Sequence, residues 1–75
     1  MKELVEVIAK ALVDDPSQVV VEEIRNGKDI ELKLHVAPDD MGKVIGKQGR
    51  IAKAIRSVVK AASTKDHTHV DVEIA

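Results

Sequence analysis

The stretch DMGKVIGKQGRIAKAIR, residues 40–56, decides the fold of this 75-residue chain. Its apolar residues recur at helical spacing on both sides of Gly46-Lys47-Gln48-Gly49, and the two glycines interrupt the pattern. We therefore expect a short helix over about Asp40–Ile45 and a longer helix from Gly49 or Arg50 to about Ala62. One of the aspartates that follow the proline is expected to cap the short helix, because a carboxylate can accept its free N–H groups.

The flanking sequence adds one helix and three strands. Leu4, Ile8 and Leu12 recur at helical spacing and predict an amphipathic helix that stops before the Asp-Asp-Pro sequence. Alternating or β-branched residues predict the strands, and Asn-Gly predicts a hairpin between the first two of them. The predicted ranges are Lys2–Val13 for the helix and Gln18–Arg25, Ile30–Val36 and Thr68–Ile74 for the strands, with the hairpin at Asn26-Gly27.

The resulting order is α-β-β-α-α-β, in one domain over residues 1–75. Because a two-helix crossover separates the second and third strands, those strands should be parallel, whereas the hairpin pairs the first two antiparallel. We expect an α+β fold in which three helices pack on one face of a three-stranded mixed sheet.

Composition narrows the possible functions. The chain has no cysteine and no aromatic residue, which excludes disulfides, thiolate metal sites and base stacking on Phe, Tyr or Trp. The net charge is −1, yet residues 41–65 carry seven bases and no acid, while the remainder carries five bases and thirteen acids. The sequence offers no apolar run long enough for a signal peptide or a membrane span, so a cytoplasmic protein without membrane contact is expected.

The turn Gly46-Lys47-Gln48-Gly49 is suited to holding a phosphate. Glycines allow a sharp turn and a close approach of the ligand to the backbone, and the following helix presents free N–H groups at its positive end. Lys47 and Arg50 add cationic side chains. Two alternatives are a plain corner between helices and a DNA-binding helix-turn-helix, although the three predicted strands disfavour the latter.

The turn, its flanking helices and the element order together resemble a KH domain of the prokaryotic type II arrangement. Residues 40–56 are also similar to the small stand-alone bacterial KH proteins of the KhpA family. The resemblance implies a cleft that binds about four nucleotides of single-stranded RNA, with the GxxG loop on the backbone. Carried over to this sequence, the RNA-binding set comprises Lys43, Val44, Ile45, Gly46, Lys47, Gln48, Gly49, Arg50 and Lys53, with the second strand in the cleft floor.

The family resemblance also implies partners and a cellular setting. It implies a homodimer, association with a larger multidomain KH protein (KhpB), and RNA-chaperone roles linked to cell-wall growth and cell shape.

The long helix carries more apolar surface than one core requires. Ala52, Ile55, Val59 and Ala62 form the expected core stripe. Ile51, Ala54, Val58 and Ala61 form a second stripe, which we interpret as a dimer interface, and the resemblance places Val58 near its centre. The alternative is that the first helix covers this second stripe. A protein-interaction scaffold built on it is the competing functional hypothesis.

Nothing in the sequence resembles a catalytic site, so we expect a binding protein and not an enzyme. His67, His69 and Asp71 alternate along one strand, but exposed polar residues are expected there and not metal ligands. No cofactor is predicted.

Overall fold

A computed structural model describes residues 1–74 and has the predicted order of helices and strands. Short 3₁₀ turns precede β1, α2 and α3. The helices are α1 (Lys2–Leu12), α2 (Met41–Ile45) and α3 (Arg50–Lys65), and the strands are β1 (Val20–Asn26), β2 (Asp29–His35) and β3 (His69–Ile74).

The sheet has the order β1-β2-β3, with β1 antiparallel and β3 parallel to the central strand. The α+β prediction, with helices on one side of a mixed sheet, is confirmed. In the hairpin, Asn26 pairs with Asp29, so the two loop residues are Gly27 and Lys28 and not Asn26 and Gly27. Gly27 has a φ of 65°, as the first position of a type II′ turn requires.

The core lies between the sheet and the three helices. Leu32 and Leu34 of β2 are fully buried, as are Val5 of α1, Val44 of α2 and Val59 of α3. Each helix therefore contributes at least one completely buried side chain, which fixes α2 and the following turn relative to the sheet.

The structure shows which face of α1 is buried and corrects the predicted end of the long helix. In α1 the buried residues are Val5 and Ala9, while Leu12 is exposed and Leu4 and Ile8 are only partly buried. The long helix extends to Lys65 instead of ending near Ala62, because Ser63 in its last turn is buried and tertiary packing holds that turn. The hydroxyls of Ser63 and Thr64 both donate to the carbonyl of Lys60.

Candidate nucleic-acid interface

The loop between α2 and α3 contains three residues with positive φ, one before Lys47 and two after it. Gly46 has φ 75° and ψ 173°, a region that is essentially restricted to glycine. Gln48 and Gly49 are both left-handed, with φ 58° and 73°. The Gly46 N–H donates to Gly42 at 2.9 Å and the Gly49 N–H donates to Gly46 at 3.1 Å, so the turn is closed by backbone bonds at both ends. The sequence predicted this break, and the structure gives its conformation.

The two glycines have different roles. A Cβ on Gly46 would lie 2.6 Å from Cγ1 of Ile51, so the side chain of α3 occupies the space that any other residue would need. A Cβ on Gly49 would meet nothing within 4 Å. Gly46 is therefore required both by its φ and by the close packing of the loop on α3, whereas Gly49 is required by its φ alone.

The loop leads directly into the positive end of a 16-residue helix. Gly49 is the residue before α3, and within residues 1–74 no side chain caps the free N–H groups of the first turn. Lys47 is helical and Gln48 is left-handed, and this succession curves the backbone N–H groups around a concave surface of the kind that binds anions. The free helix end and the concave turn lie next to each other, so both can bind the same phosphate.

The cationic side chains around the loop are available to a ligand. Lys47, Arg50 and Lys53 are exposed, as is Gln48. Among the described residues, none of these three cations has a carboxylate oxygen within 4.0 Å. The structure thus brings together four of the predicted site residues, Lys47, Gln48, Arg50 and Lys53, on one accessible surface beside the two glycines.

Two neighbouring residues of the predicted site, Val44 and Ile45, differ in exposure. Val44 is 0% exposed and belongs to the core, so it holds α2 in place and has no surface to offer a ligand. Ile45, its neighbour, is 37% exposed and borders the loop. The second strand was also expected to form the cleft floor, but it is the middle strand, and its helix-facing Leu32 and Leu34 are fully buried.

Lys43 takes part in an ion-pair network instead of standing free. Its ammonium contacts the carboxylate of Asp14 and lies 3.6 Å from Oδ1 of Asp40. The hydrogen bond to Asp14 raises the pKa of Lys43, an effect that burial opposes and the charges of both aspartates reinforce. Lys43 therefore stays charged, but its charge is already partly neutralised.

Asp40 is the buried centre of this network and was missed as a structural residue by sequence reasoning. Its carboxylate accepts the backbone N–H groups of Asp14 at 3.2 Å and Asp15 at 3.1 Å. It makes no side-chain bond to the start of α2, so the predicted helix cap is wrong. Burial alone would raise the pKa of Asp40, but the N–H donors of Asp15 and Asp14 and the nearby Lys43 outweigh it, and the pKa is lowered from 3.8.

This network ties the segment after α1 to the start of α2. The partners are about 25 residues apart in sequence, so no local motif could have revealed the contact. Because α2 ends at Gly46, the position of the loop depends on this anchor as well as on the burial of Val44.

β3 lies beside the C-terminal half of α3. The guanidinium Nε of Arg56 donates to the carbonyl oxygen of Val72 at 3.1 Å. Arg56, Lys60 and His69 line a cavity of about 240 Å³ between the two elements. The basic side chains of α3 therefore continue from Arg50 and Lys53 to Arg56 and Lys60 along a groove whose other wall is the last strand.

An open apolar groove runs between α1 and α3. Ile8 and Leu12 of α1 line one side of it, and Ile51, Ala54 and Val58 of α3 line the other, around about 330 Å³. Val58 is 47% exposed, and Ala61 is exposed one turn further along. The first helix thus borders the second apolar stripe of α3 without covering it. The spacing of Ile8 and Leu12 predicted an amphipathic helix, and their place in this groove was not foreseen.

The described residues contain neither a cluster of metal ligands nor a membrane-spanning helix. Over residues 1–74, no three His, Cys, Asp or Glu side chains are grouped so as to hold a metal ion. Nor is any helix of that range both long and apolar enough to cross a membrane.

Comparison with known proteins agrees with the geometry. The family model described as "KhpA/KhpB, KH domain" matches residues 2–74. The chain is 65% identical over 74 residues to a protein of Clostridium perfringens named RNA-binding protein KhpA, with 99% of each chain covered. Proteins of the same name from Clostridium acetobutylicum and Caldanaerobacter subterraneus are each 62% identical, again with 99% of each chain covered.

These matches confirm the resemblance drawn from residues 40–56 and extend it over nearly the whole sequence. KH-domain proteins of this kind are not an enzyme class, which agrees with the prediction of a binding protein. The chain belongs to the KhpA/KhpB family of KH-domain proteins.

Proposed function

We propose that this chain binds single-stranded RNA by holding the sugar–phosphate backbone in the loop Gly46–Gly49. The observation that carries the proposal is the loop conformation, in which a left-handed turn opens directly onto the uncapped start of α3. The three relatives cited above are named RNA-binding proteins, which supports nucleic acid as the ligand.

The proposed contacts follow from the exposed groups. The N–H groups of Gly49 and Arg50 already donate to the carbonyls of Gly46 and Lys47, so the N–H groups of Lys47 and Gln48 and those that follow Arg50 in the first turn of α3 receive a phosphate oxygen. The side chains of Lys47 and Arg50 neutralise its charge. Lys53, one turn further along α3, reaches a second phosphate. Bases then lie toward Ile45 and the groove between α3 and β3, where they meet backbone groups, polar side chains and the imidazole of His69, but no Phe, Tyr or Trp ring.

Val44 and Lys43 support this site indirectly in the proposal. Val44 anchors α2 in the core, and Lys43 keeps α2 paired with Asp14 and Asp40. Direct RNA contact is therefore assigned to the loop and to the first turns of α3.

We further propose that the chain forms a homodimer through the apolar groove between α1 and α3. The exposed Val58 and the neighbouring Ile51 and Ala54 offer a surface that a second α3 can cover. The same surface supports the second candidate function, a scaffold that binds a larger KhpB-like protein and binds RNA only secondarily. On the strength of the family resemblance we propose that either activity operates in the cytoplasm, in RNA-chaperone roles linked to cell-wall growth and cell shape.

A paired substitution in the loop tests the RNA proposal. Lys47→Asp with Gln48→Asp replaces two exposed side chains with carboxylates at the proposed phosphate position. We expect RNA affinity to fall by at least about tenfold, because two charges that repel phosphate replace one that attracts it. Fluorescence anisotropy with a labelled single-stranded RNA measures this.

The matched control is Lys10→Asp with Gln18→Asp, which makes the same two changes at exposed positions away from the loop. Its effect on affinity should be several-fold smaller. Equal losses in the two double variants would show that net charge governs binding and would contradict the loop proposal. Unchanged binding by the loop variant would favour the scaffold alternative.

A further inference from the structure

The first strand of the sheet has one unpaired edge. β1 is the outer strand and pairs only with β2 in the described sheet. In a two-residue hairpin the closing pair, here Asn26 and Asp29, exchanges both hydrogen bonds, as does every second pair from it. The N–H and C=O groups of Val21, Glu23 and Arg25 therefore point away from β2, and none of them bonds to another element within residues 1–74.

The usual devices that protect such an edge are few in β1. The pairing with β2 runs without a bulge from Val20 to Asn26, and the strand contains neither proline nor lysine, so its protection consists of the charged side chains of Glu22, Glu23 and Arg25. Two large apolar side chains on the sheet face away from the helices are also open, since Val20 is 52% and Ile24 is 48% exposed. A free ladder of backbone groups thus lies beside apolar contacts spaced four residues apart.

The charge around this edge selects the chemistry of a partner. The sheet face away from the helices carries one lysine, Lys33, against five carboxylates, which are Glu22, Asp29, Glu31, Asp71 and Glu73. Glu23 adds a further carboxylate at the centre of the edge strand. This surface repels a nucleic acid and attracts a cationic segment.

The same glutamates disfavour pairing of two copies of the chain through β1. An antiparallel two-fold pair centred on the strand would place Glu23 opposite its own copy, and like charges directly opposite each other are destabilising. The position that repels a second β1 attracts a lysine or an arginine.

We propose that the free edge of β1 is a docking site for an extended, lysine- or arginine-rich segment of a partner protein, which adds to the sheet as a fourth strand. The segment pairs its backbone with Val21, Glu23 and Arg25. On the outer face it places apolar side chains beside Val20 and Ile24 and a basic side chain beside Glu22. Opposite residues 20 to 24 its pattern is apolar, any, basic, basic, apolar, since Glu22 and Glu23 both favour a basic neighbour. This surface is separate from both the loop and the α1/α3 groove.

The test uses the full chain labelled with ¹⁵N and an end-blocked peptide of the order threonine, valine, lysine, lysine, lysine, valine, threonine. Amide shifts and hydrogen exchange are followed during titration. We expect the amides of Val21, Glu23 and Arg25 to shift and to exchange at least about tenfold more slowly when bound, because they become hydrogen-bonded. A peptide N-methylated on its bonding edge should lose this effect.

A charge variant provides an independent arm. Glu23→Lys should weaken peptide binding at least about fivefold, and the control Glu3→Lys, an equal charge change on exposed α1, should not. A single-stranded RNA in place of the peptide should leave the three edge amides unshifted. The proposal is overturned if the peptide does not perturb these amides, if the N-methylated peptide binds equally, if the two variants behave alike, or if RNA occupies the edge.

Discussion

Gly46 and Gly49 are equivalent positions of the GxxG motif, but two constraints apply to Gly46 and only one to Gly49. Both residues have φ near 75°, but only at Gly46 does the Ile51 side chain fill the space of a Cβ. The loop is therefore held against α3 by packing at its first glycine and shaped by backbone conformation alone at its second.

This difference predicts unequal costs for alanine. Gly46→Ala should lower the free energy of unfolding by about 2–3 kcal/mol, because strain at positive φ adds to the clash with Ile51. Gly49→Ala should cost about 1 kcal/mol, the strain alone. Urea denaturation of both variants measures the difference, and equal costs would mean that the contact with Ile51 does not constrain the loop.

The lowered pKa of Asp40 predicts how the free energy of unfolding depends on pH. The pKa of its folded carboxyl lies below 3.8, so the unfolded state binds the proton more readily. The stabilisation is therefore complete above 3.8 and is lost as the pH falls through the lower folded value. Asp40→Asn, which has no such proton to bind, should lose less stability across this acidic range than the wild type.

The control for that experiment is Asp39→Asn, the same change at the exposed neighbouring position. Urea denaturation at a series of pH values should give Asp39→Asn the wild-type profile. If the two variants show the same pH dependence, the buried network of Asp40 is not the source of the acid sensitivity.

At the scale of the elements, the sequence predicted which helices and strands exist but not which face of α1 is buried. Leu4, Val5, Val7, Ile8 and Ala9 surround more than half of this helix with apolar groups, so periodicity alone does not select a face. The choice of Val5 and Ala9 depends on where α3 and the sheet lie. Predictions succeeded where the signal was local, as with the glycine turn and the strand alternation.

The anchor at Asp40 shows the opposite case. Consecutive aspartates after a proline favour a local helix cap, but the carboxylate instead serves N–H groups about 25 residues away. The ion pair of Lys43 with Asp14 was likewise not foreseen, since it forms only when the segment after α1 lies beside α2, whereas Asp40 is three residues from Lys43 in the chain. Tertiary contacts of this kind leave no short-range signature.

The apolar stripe of α3 predicts the effect of a charge at Val58. Val58→Lys should weaken self-association by at least about tenfold, because an ammonium must be desolvated in an apolar interface. Ser57→Lys adds the same charge at the adjacent exposed position, outside the groove residues, and should have little effect. Sedimentation velocity over a concentration series distinguishes them, and identical behaviour of the two variants would contradict a dimer through this groove.

For the whole molecule, the important property is the separation of charge. Residues 41–65 hold seven bases without an acid, and the fold places them on α2, the loop and α3. The outer sheet face is rich in carboxylates. The near-neutral total hides this polarity, so an RNA strand is expected to approach only from the side of the loop and α3.

The most direct measurement of the central claim is the footprint of a four-nucleotide single-stranded RNA on the ¹⁵N-labelled chain. We predict that the backbone amides of Lys47 and Gln48 shift most during the titration, because their N–H groups receive the phosphate. Smaller changes are expected along α3 and β3 and at Gly49 and Arg50, whose N–H groups already donate to the carbonyls of Gly46 and Lys47. Shifts confined to the C-terminal half of α3 or to the sheet face away from the helices, with the amides of the loop Gly46–Gly49 unchanged, would contradict backbone binding by this loop.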